Sequence, residues 1–303
     1  MPMPFTDSTP LLSEGEALRA RAATDGYLFF RGLLPAEAIL PVRADLLEVV
    51  AKHGWLADEA TGTLNVEALA AVPESAMRTD IGVSVAAYDD VQRLENVHRL
   101  PHHPRLLALY KMLLADEVLV HARHIIRMIS PHPAIFPTPA HQDFPLVQGT
   151  QNTWTCWFPL GECPRTMGSL KVLSGSHKLG YLPLKRALGA GGITVQTCPD
   201  EESEDDWVEG DFALGDVLTF PALTVHKALP SQFKDRIRLS FDVRYQALSE
   251  PVEEKSLLPH CGLTWKQIYE GWESDELQYY WRKLPLNYSG WNPTLLQYGQ
   301  RIC

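Results

Sequence analysis

TPAHQDFPLVQGTQNTWTCWFPL, residues 138–160, sets an imidazole and a carboxylate two positions apart among prolines, aromatics and small polar residues. In extended backbone, residues two apart point to the same side. His141 and Asp143 therefore form a pair, and Gln142 between them points away. The TWTCWFPL half is β-branched and aromatic and reads as a strand. Alone, a His-x-Asp pair fits a loop hydrogen bond as well as it fits metal ligation. The deciding question is whether later strands supply partners.

Working outward, residues 131–247 form a series of short apolar runs: TWTCWFPL, GSLKVLSGS, GDVLTFPALTVH and RIRLSFDVRY. Pro, Gly, Asn, Asp and Ser separate them, which predicts an all-β sandwich or barrel. GDVLTFPALTVH ends on His226, and RIRLSFDVRY brings Arg236, Arg238 and Arg244 onto one face of an alternating strand. Two neutral imidazoles and a carboxylate on one side of Fe(II) leave coordination positions open. A bidentate 2-oxoacid can take two of them and O2 the third. The far carboxylate of that acid then needs a cation, and the planar arginine fork suits it.

On both sides the texture changes. SEGEALRARAAT (13–24) predicts a helix with Ser13 as N-cap and Glu16 completing a capping box. DGYLFFRGLL (25–34) predicts a turn and a short strand, and 35–54 predicts a helix burying Ile39, Val42, Leu46, Val49 and Val50, kinked or begun at Pro41. Residues 103–117 read as another amphipathic helix and 118–130 as one strand, while 264–303 returns to helical composition. Domain organisation is thus one unit, a β core over about 118–247 with helical additions over about 13–117 and 264–303. The acidic run 199–211 is expected to be a solvated loop, or a mobile lid if it lies by the site mouth.

Composition narrows the function classes. A formal net charge of −10 argues against a broad nucleic-acid or anionic-membrane surface. Five scattered cysteines without C-x-x-C spacing predict reduced thiols rather than a disulfide framework or zinc cluster. With no basic leader and no long apolar run, the expectation is a soluble cytoplasmic protein whose partner is a small-molecule substrate. Oligomeric state is not readable.

His141-Gln142-Asp143, the MGSLKVLSGSHK turn (167–178), GDVLTF (215–220), His226 and DRIRLSFDVRY (235–245) together resemble the phytanoyl-CoA dioxygenase family of Fe(II)/2-oxoglutarate oxygenases. The resemblance implies a double-stranded β-helix, a distorted jelly roll. It also implies His141, Asp143 and His226 as iron ligands and an arginine clamp for 2-oxoglutarate. Relatives commonly place that arginine one residue nearer the distal histidine, where this chain has Ile237. Aligning DRIR and the following RY makes Arg238 the match, with Arg236 the alternative and Arg244 too far along. Trp157 takes the position of a tryptophan that often lines the cosubstrate pocket. Met167-Gly168 and Ser174-Gly175-Ser176-His177 depart from the usual Asn-Gly and Pro-Gly-Ser-His, both within a turn. An acid at 143 favours hydroxylation over halogenation, since related halogenases carry a small residue there.

The implied activity is hydroxylation of a small organic molecule, with Fe(II), 2-oxoglutarate and O2 consumed together. A non-catalytic jelly-roll binding or sensor protein is the alternative. A metal hydrolase would need a general base that the sequence does not offer. Phe136, Phe144, Trp154 and Trp157 suggest an apolar, aromatic lining, and the negative charge leans away from an anionic thioester. For the other histidines the ordinary reading is structural: His102 and His103 solvated, His177 fixing its turn, His121 and His124 on different faces of a strand. Tyr279, Tyr280 and Trp281 read as helix packing.

Overall fold

The computed structural model describes residues 3–58, 61–196 and 206–298. Its main strands are β1 (Leu28–Phe30), β2 (Val118–Val120), β3 (Ile125–Ile129), β4 (Trp154–Pro159), β5 (Leu170–Leu173) and β6 (Leu184–Arg186), followed by β7 (Ile193–Val195), β8 (Trp207–Glu209), β9 (Val217–Pro221), β10 (His226–Ala228) and β11 (Arg238–Ala247). The larger sheet runs β1-β9-β4-β11, and the long β11 meets both β3 and β2 along its other edge. The smaller sheet runs from Met3–Pro4 through β8 and β5 to β10. A backbone bridge between His141 and His226 extends it by one residue beyond β10.

Alternation explains the layering. On β11, Leu239, Phe241, Val243 and Tyr245 turn outward beneath the helices, while Arg238, Ser240, Asp242, Arg244 and Gln246 take the other face. β4 repeats the pattern: Cys156 and Phe158 join the helix-side core, and Trp157 faces the second sheet. Trp157 meets Phe29, Leu218 and Phe220 of its own sheet and Leu170, Val172 and Val208 of the other, so the two sheets close on one apolar layer. This two-sheet closure is the jelly roll.

The helices α1 (Gly15–Asp25), α2 (Ala36–Lys52), α3 (Val85–Gln92) and α4 (Pro104–Leu114) cover the outer face of the larger sheet. α2 buries Ile39, Val42, Leu46, Val49 and Val50, as its periodicity predicts. Each such side chain contributes roughly 1.5–3 kcal/mol when fully buried. Pro41 does not start the helix; it lies within it on the solvent side, where the missing N–H is replaced most cheaply. Tyr110 of α4 stacks on Tyr245 at 3.8 Å and ties helix to sheet.

Several expectations are corrected. Ser13 caps nothing: the helix begins at Gly15 with Glu14 in the cap position, because a preceding 3-10 turn at Thr9–Leu11 delivers the chain there. The 118–130 strand is two strands, broken at 121–124 where His121 turns to Gln246 and His124 packs its buried ring against His98. The C-terminal region is mostly turns: its helical pieces are Trp265–Ile268, Tyr280–Lys283 and Pro293–Leu296, interrupted by glycine and proline. The acidic run 199–211 ends in a strand, β8, and its part over 199–205, on which the lid reading rests, lies outside the described residues. His102 is not solvated but packs edge-on against Tyr280 at 4.7 Å.

Candidate metal centre

His141 and His226 stand directly opposite one another. Each backbone N–H donates to the other's carbonyl at 3.0 Å, and the rings lie 4.2 Å apart. This antiparallel pairing points both side chains the same way. Their tautomers follow from what Nδ1 touches. Nδ1 of His141 meets the Pro139 carbonyl at 2.8 Å, and Nδ1 of His226 meets the Thr224 carbonyl at 3.1 Å. A carbonyl only accepts, so both Nδ1 atoms carry the proton and both Nε2 atoms present a lone pair. Burial holds His226 neutral, its pKa pushed down to about 3, with neighbouring His141 adding to the effect.

Asp143 stands at the N-cap position of the short helix Phe144–Val147, with Pro145 in its first turn. Gln142 points away, as alternation predicts, and is pinned by the carbonyls of Gly180 and Leu223, each at 2.7 Å. The Asp143 carboxylate divides its oxygens. Oδ2 accepts from the Thr155 hydroxyl and from Arg244 Nη2 at 3.0 Å. Oδ1 faces the two imidazoles, 3.6 Å from His141 Nε2 and 4.0 Å from His226 Nε2. Burial alone would raise the pKa of Asp143; the Arg244 guanidinium beside it overcomes that and holds it well below the ordinary carboxylate range.

Two lone-pair nitrogens and one ionised oxygen therefore converge, with one candidate ligand atom from each residue within 4.8 Å of the others. The donor set and its outer hydrogen bonds suit a divalent iron bound on one side only. Among the described residues this is the one such His, Cys, Asp or Glu group.

Two spaces adjoin the centre. A cavity of about 230 Å³ is lined by His141, Asp143 and Arg244 together with Arg123, Lys255 and Ile125. A recess of about 10 Å³ is lined by His141, Arg244, His226, Trp157, Leu170 and Arg238. Arg238 is buried; its Nη1 donates to the Gly168 carbonyl, its Nε has no protein partner, and its guanidinium lies 5.8 Å from the Trp157 ring. Burial depresses its pKa, and neighbouring Arg127 adds to the effect.

Arg236 corrects an expectation. β11 begins at Arg238, so Arg236 does not share the strand face; it is exposed, 4.0 Å from Asp235. Arg244, too far along the strand for the clamp, reaches the centre through Asp143 instead. Thr155 was also not singled out, although it shares the inward face of β4 with Trp157, two residues on. Phe136 is exposed and Trp154 packs toward the helices, so neither lines the larger cavity.

The model of the family described as "Phytanoyl-CoA dioxygenase (PhyH)" matches residues 22–237. This chain belongs to the phytanoyl-CoA dioxygenase family. It is 30% identical over 268 residues to a protein of Streptomyces arenae named 1-deoxypentalenic acid 11-beta-hydroxylase, covering 84% of this chain and 89% of the relative. A Streptomyces exfoliatus protein of the same name matches over the same shares, also at 30% identity. Among solved structures, the epimerase SnoN from nogalamycin biosynthesis, in complex with Fe3+, alpha ketoglutarate and nogalamycin RO, has a TM-score of 0.56 at 21% identity, covering 79% of this chain and 86% of that one. EctD from S. alaskensis with bound Fe has a TM-score of 0.50 at 17% identity, covering 82% of each chain. These structural likenesses establish the jelly-roll fold of this family member.

Proposed function

We propose that this phytanoyl-CoA dioxygenase family member is an Fe(II)- and 2-oxoglutarate-dependent dioxygenase that hydroxylates an unactivated C–H bond of a small organic molecule, releasing succinate and CO2. The observation that carries this reading is the convergence of His141 Nε2, His226 Nε2 and Asp143 Oδ1, each fixed by hydrogen bonds on its far side. The hydroxylase names of the two Streptomyces relatives support the reaction type. Iron held by these three residues, together with 2-oxoglutarate and O2, would supply the oxidising chemistry.

The chain's own residues do the rest. Thr155 and Arg244 hold Asp143 so that one oxygen faces the imidazoles, and the backbone carbonyls of Pro139 and Thr224 set the histidine tautomers. Arg238 receives the distal carboxylate of 2-oxoglutarate, because it is a buried cation lacking a carboxylate, beside Trp157 in the recess. That recess has room for about one water, so a diacid entering it displaces side chains. Arg238 is tied to a backbone carbonyl rather than an acid and is the side chain that swings. Trp157 forms a wall of the recess, and Arg236 is set aside by its exposure. Free Cys156, Cys163 and Cys261 support a reducing, cytoplasmic setting. No helix among the described residues is long and apolar enough to cross a membrane.

The test is an anaerobic titration of metal-free protein with Fe(II) and then 2-oxoglutarate, following the weak visible charge-transfer band of a chelated 2-oxoacid. The band is expected to form with one equivalent of each. Iron binding without the band would overturn the cosubstrate assignment and favour a non-catalytic jelly-roll binding protein.

A further inference from the structure

The larger cavity has an imbalance of charge that the metal centre does not use. Its lining carries four cationic side chains, Arg123, Arg127, Arg244 and Lys255, against two carboxylates, Asp80 and Asp143. Four of these six charges are paired locally: Arg244 with Asp143, Arg127 with Asp242 behind the lining, and Asp80 with Arg78. The cavity histidines do not add to the count, since burial depresses the pKa of His121 to about 4 and that of His260 well below its ordinary value.

Arg123 and Lys255 are left over. Among the described residues neither has a carboxylate within 4.0 Å. Arg123 Nη1 donates to the Pro259 carbonyl at 2.8 Å, and Lys255 Nζ sits 3.4 Å from the centroid of the Trp291 ring. The two stand on one wall, because the Arg123 backbone N–H donates to the carbonyl of Ser256, the residue after Lys255. Arg123 is half-buried, and taking a guanidinium partly out of water without a counter-charge is costly. Ile125, Leu146, Val147 and Ala190 give the same cavity an apolar portion.

We propose that Arg123 and Lys255 form a carboxylate-recognition pair, so that the cavity takes a small monocarboxylic acid with an apolar, aliphatic or alicyclic body. This rests on reading the cavity as the substrate chamber of the proposed dioxygenase. The pair is separate from the cosubstrate arginine: Arg238 lines the recess and not the cavity, whereas Arg123 and Lys255 line the cavity and not the recess. Lys255 also lies beyond the family-matched residues 22–237. Trp291, which the cation faces, arrives on the C-terminal segment, itself fastened by a double hydrogen bond between Gln148 and Asn292 at 2.7 and 3.0 Å. Trp291 is the positioning residue of the pair.

The test uses the full chain loaded anaerobically with Fe(II) and 2-oxoglutarate. Dissociation constants are measured by calorimetry for cyclohexanecarboxylate, adamantane-1-carboxylate and decanoate, each beside its own carboxamide. At least one acid is expected to bind about tenfold or more tightly than its amide, the scale of a charge-assisted contact. Arg123→Gln and Lys255→Gln should each shrink that ratio toward one, chiefly through loss of acid affinity, and Arg123→Lys should keep part of it. Equal binding of acids and amides, no binding of any acid at millimolar concentration, or an unchanged ratio in both glutamine variants would overturn the proposal. The charge-transfer band separates the two readings. A band without acid preference sinks the recognition pair alone, and acid preference without a band sinks the dioxygenase assignment while the anion site stands.

Discussion

Replacing Thr155 by valine removes one hydroxyl and nearly nothing of the side chain's shape. Thr155 is fully buried on β4, and its hydroxyl donates to Asp143 Oδ2, the oxygen turned away from the imidazoles. Its carbonyl accepts from Thr219 at 2.8 Å, so the backbone stays anchored when the hydroxyl is lost. A hydrogen bond to a charged group contributes about 1.5–3 kcal/mol. If the bond serves to hold Asp143 Oδ1 toward the metal, most of that energy appears in iron affinity, a loss of roughly tenfold to a hundredfold. Arg244 remains on Oδ2, which keeps the carboxylate ionised and the protein folded. The assay is an anaerobic Fe(II) titration against a competing chelator, with Thr155→Ser as the control that restores the donor. An affinity in Thr155→Val within twofold of the unmodified protein would refute the idea that this hydroxyl orients the ligand.

Three further outcomes are expected. His141→Ala, Asp143→Ala and His226→Ala should each abolish stoichiometric Fe(II) binding by the same titration; retention in any one removes that residue from the centre. Arg238→Gln should raise the 2-oxoglutarate concentration needed to form the charge-transfer band at least about tenfold with iron affinity unchanged, whereas Arg236→Gln should do neither. Acid should destabilise the metal-free protein early. Burial holds His98, His102 and His121 neutral in the fold, each with a pKa of about 4, against about 6.5 in the unfolded chain. Protons are then taken up by the unfolded state first, so the stability these groups contribute is whole above about pH 6.5 and is lost as pH falls toward 4. The slope is at most about 1.4 kcal/mol per pH unit for each histidine. Urea midpoints that stay level between pH 7 and pH 5 would contradict this.

The core was legible in the sequence because two short periods carry it. The spacing of Ile39, Val42, Leu46, Val49 and Val50 could only be one helix face, and the spacing of Leu239, Phe241, Val243 and Tyr245 only one strand face. His141 and Asp143 were legible for the same reason, being two apart in extended chain. The contact of Arg244 with Asp143 was not legible, because distance along a strand says nothing about which loop residue crosses it; Asp143, 101 positions earlier in the chain, reaches it only through the closure of two sheets. The C-terminal helices failed for a local reason. Helical composition in 264–303 is broken by Gly271, Pro285 and Gly290, and aromatic packing around Trp265, Tyr269 and Trp281 replaces helix hydrogen bonding as the source of order. Arg123 and Lys255 left no sequence signal, since an unpaired cation is recognised only by surveying its neighbours in space.

The ten residues of β11 serve two masters at once, the odd ones holding the helices and the even ones facing the site. An inserted or deleted residue within this strand would exchange those faces, sending arginines into the core and phenylalanine toward the metal centre. Length variation between His226 and Arg238 must therefore be absorbed in the loop after β10, before the strand begins. The strand is a fixed reading frame. Chemical novelty in this protein has its room elsewhere, in the turn that brings Arg123 and the C-terminal segment that brings Lys255 and Trp291, where a changed residue alters what is recognised without shifting what reacts.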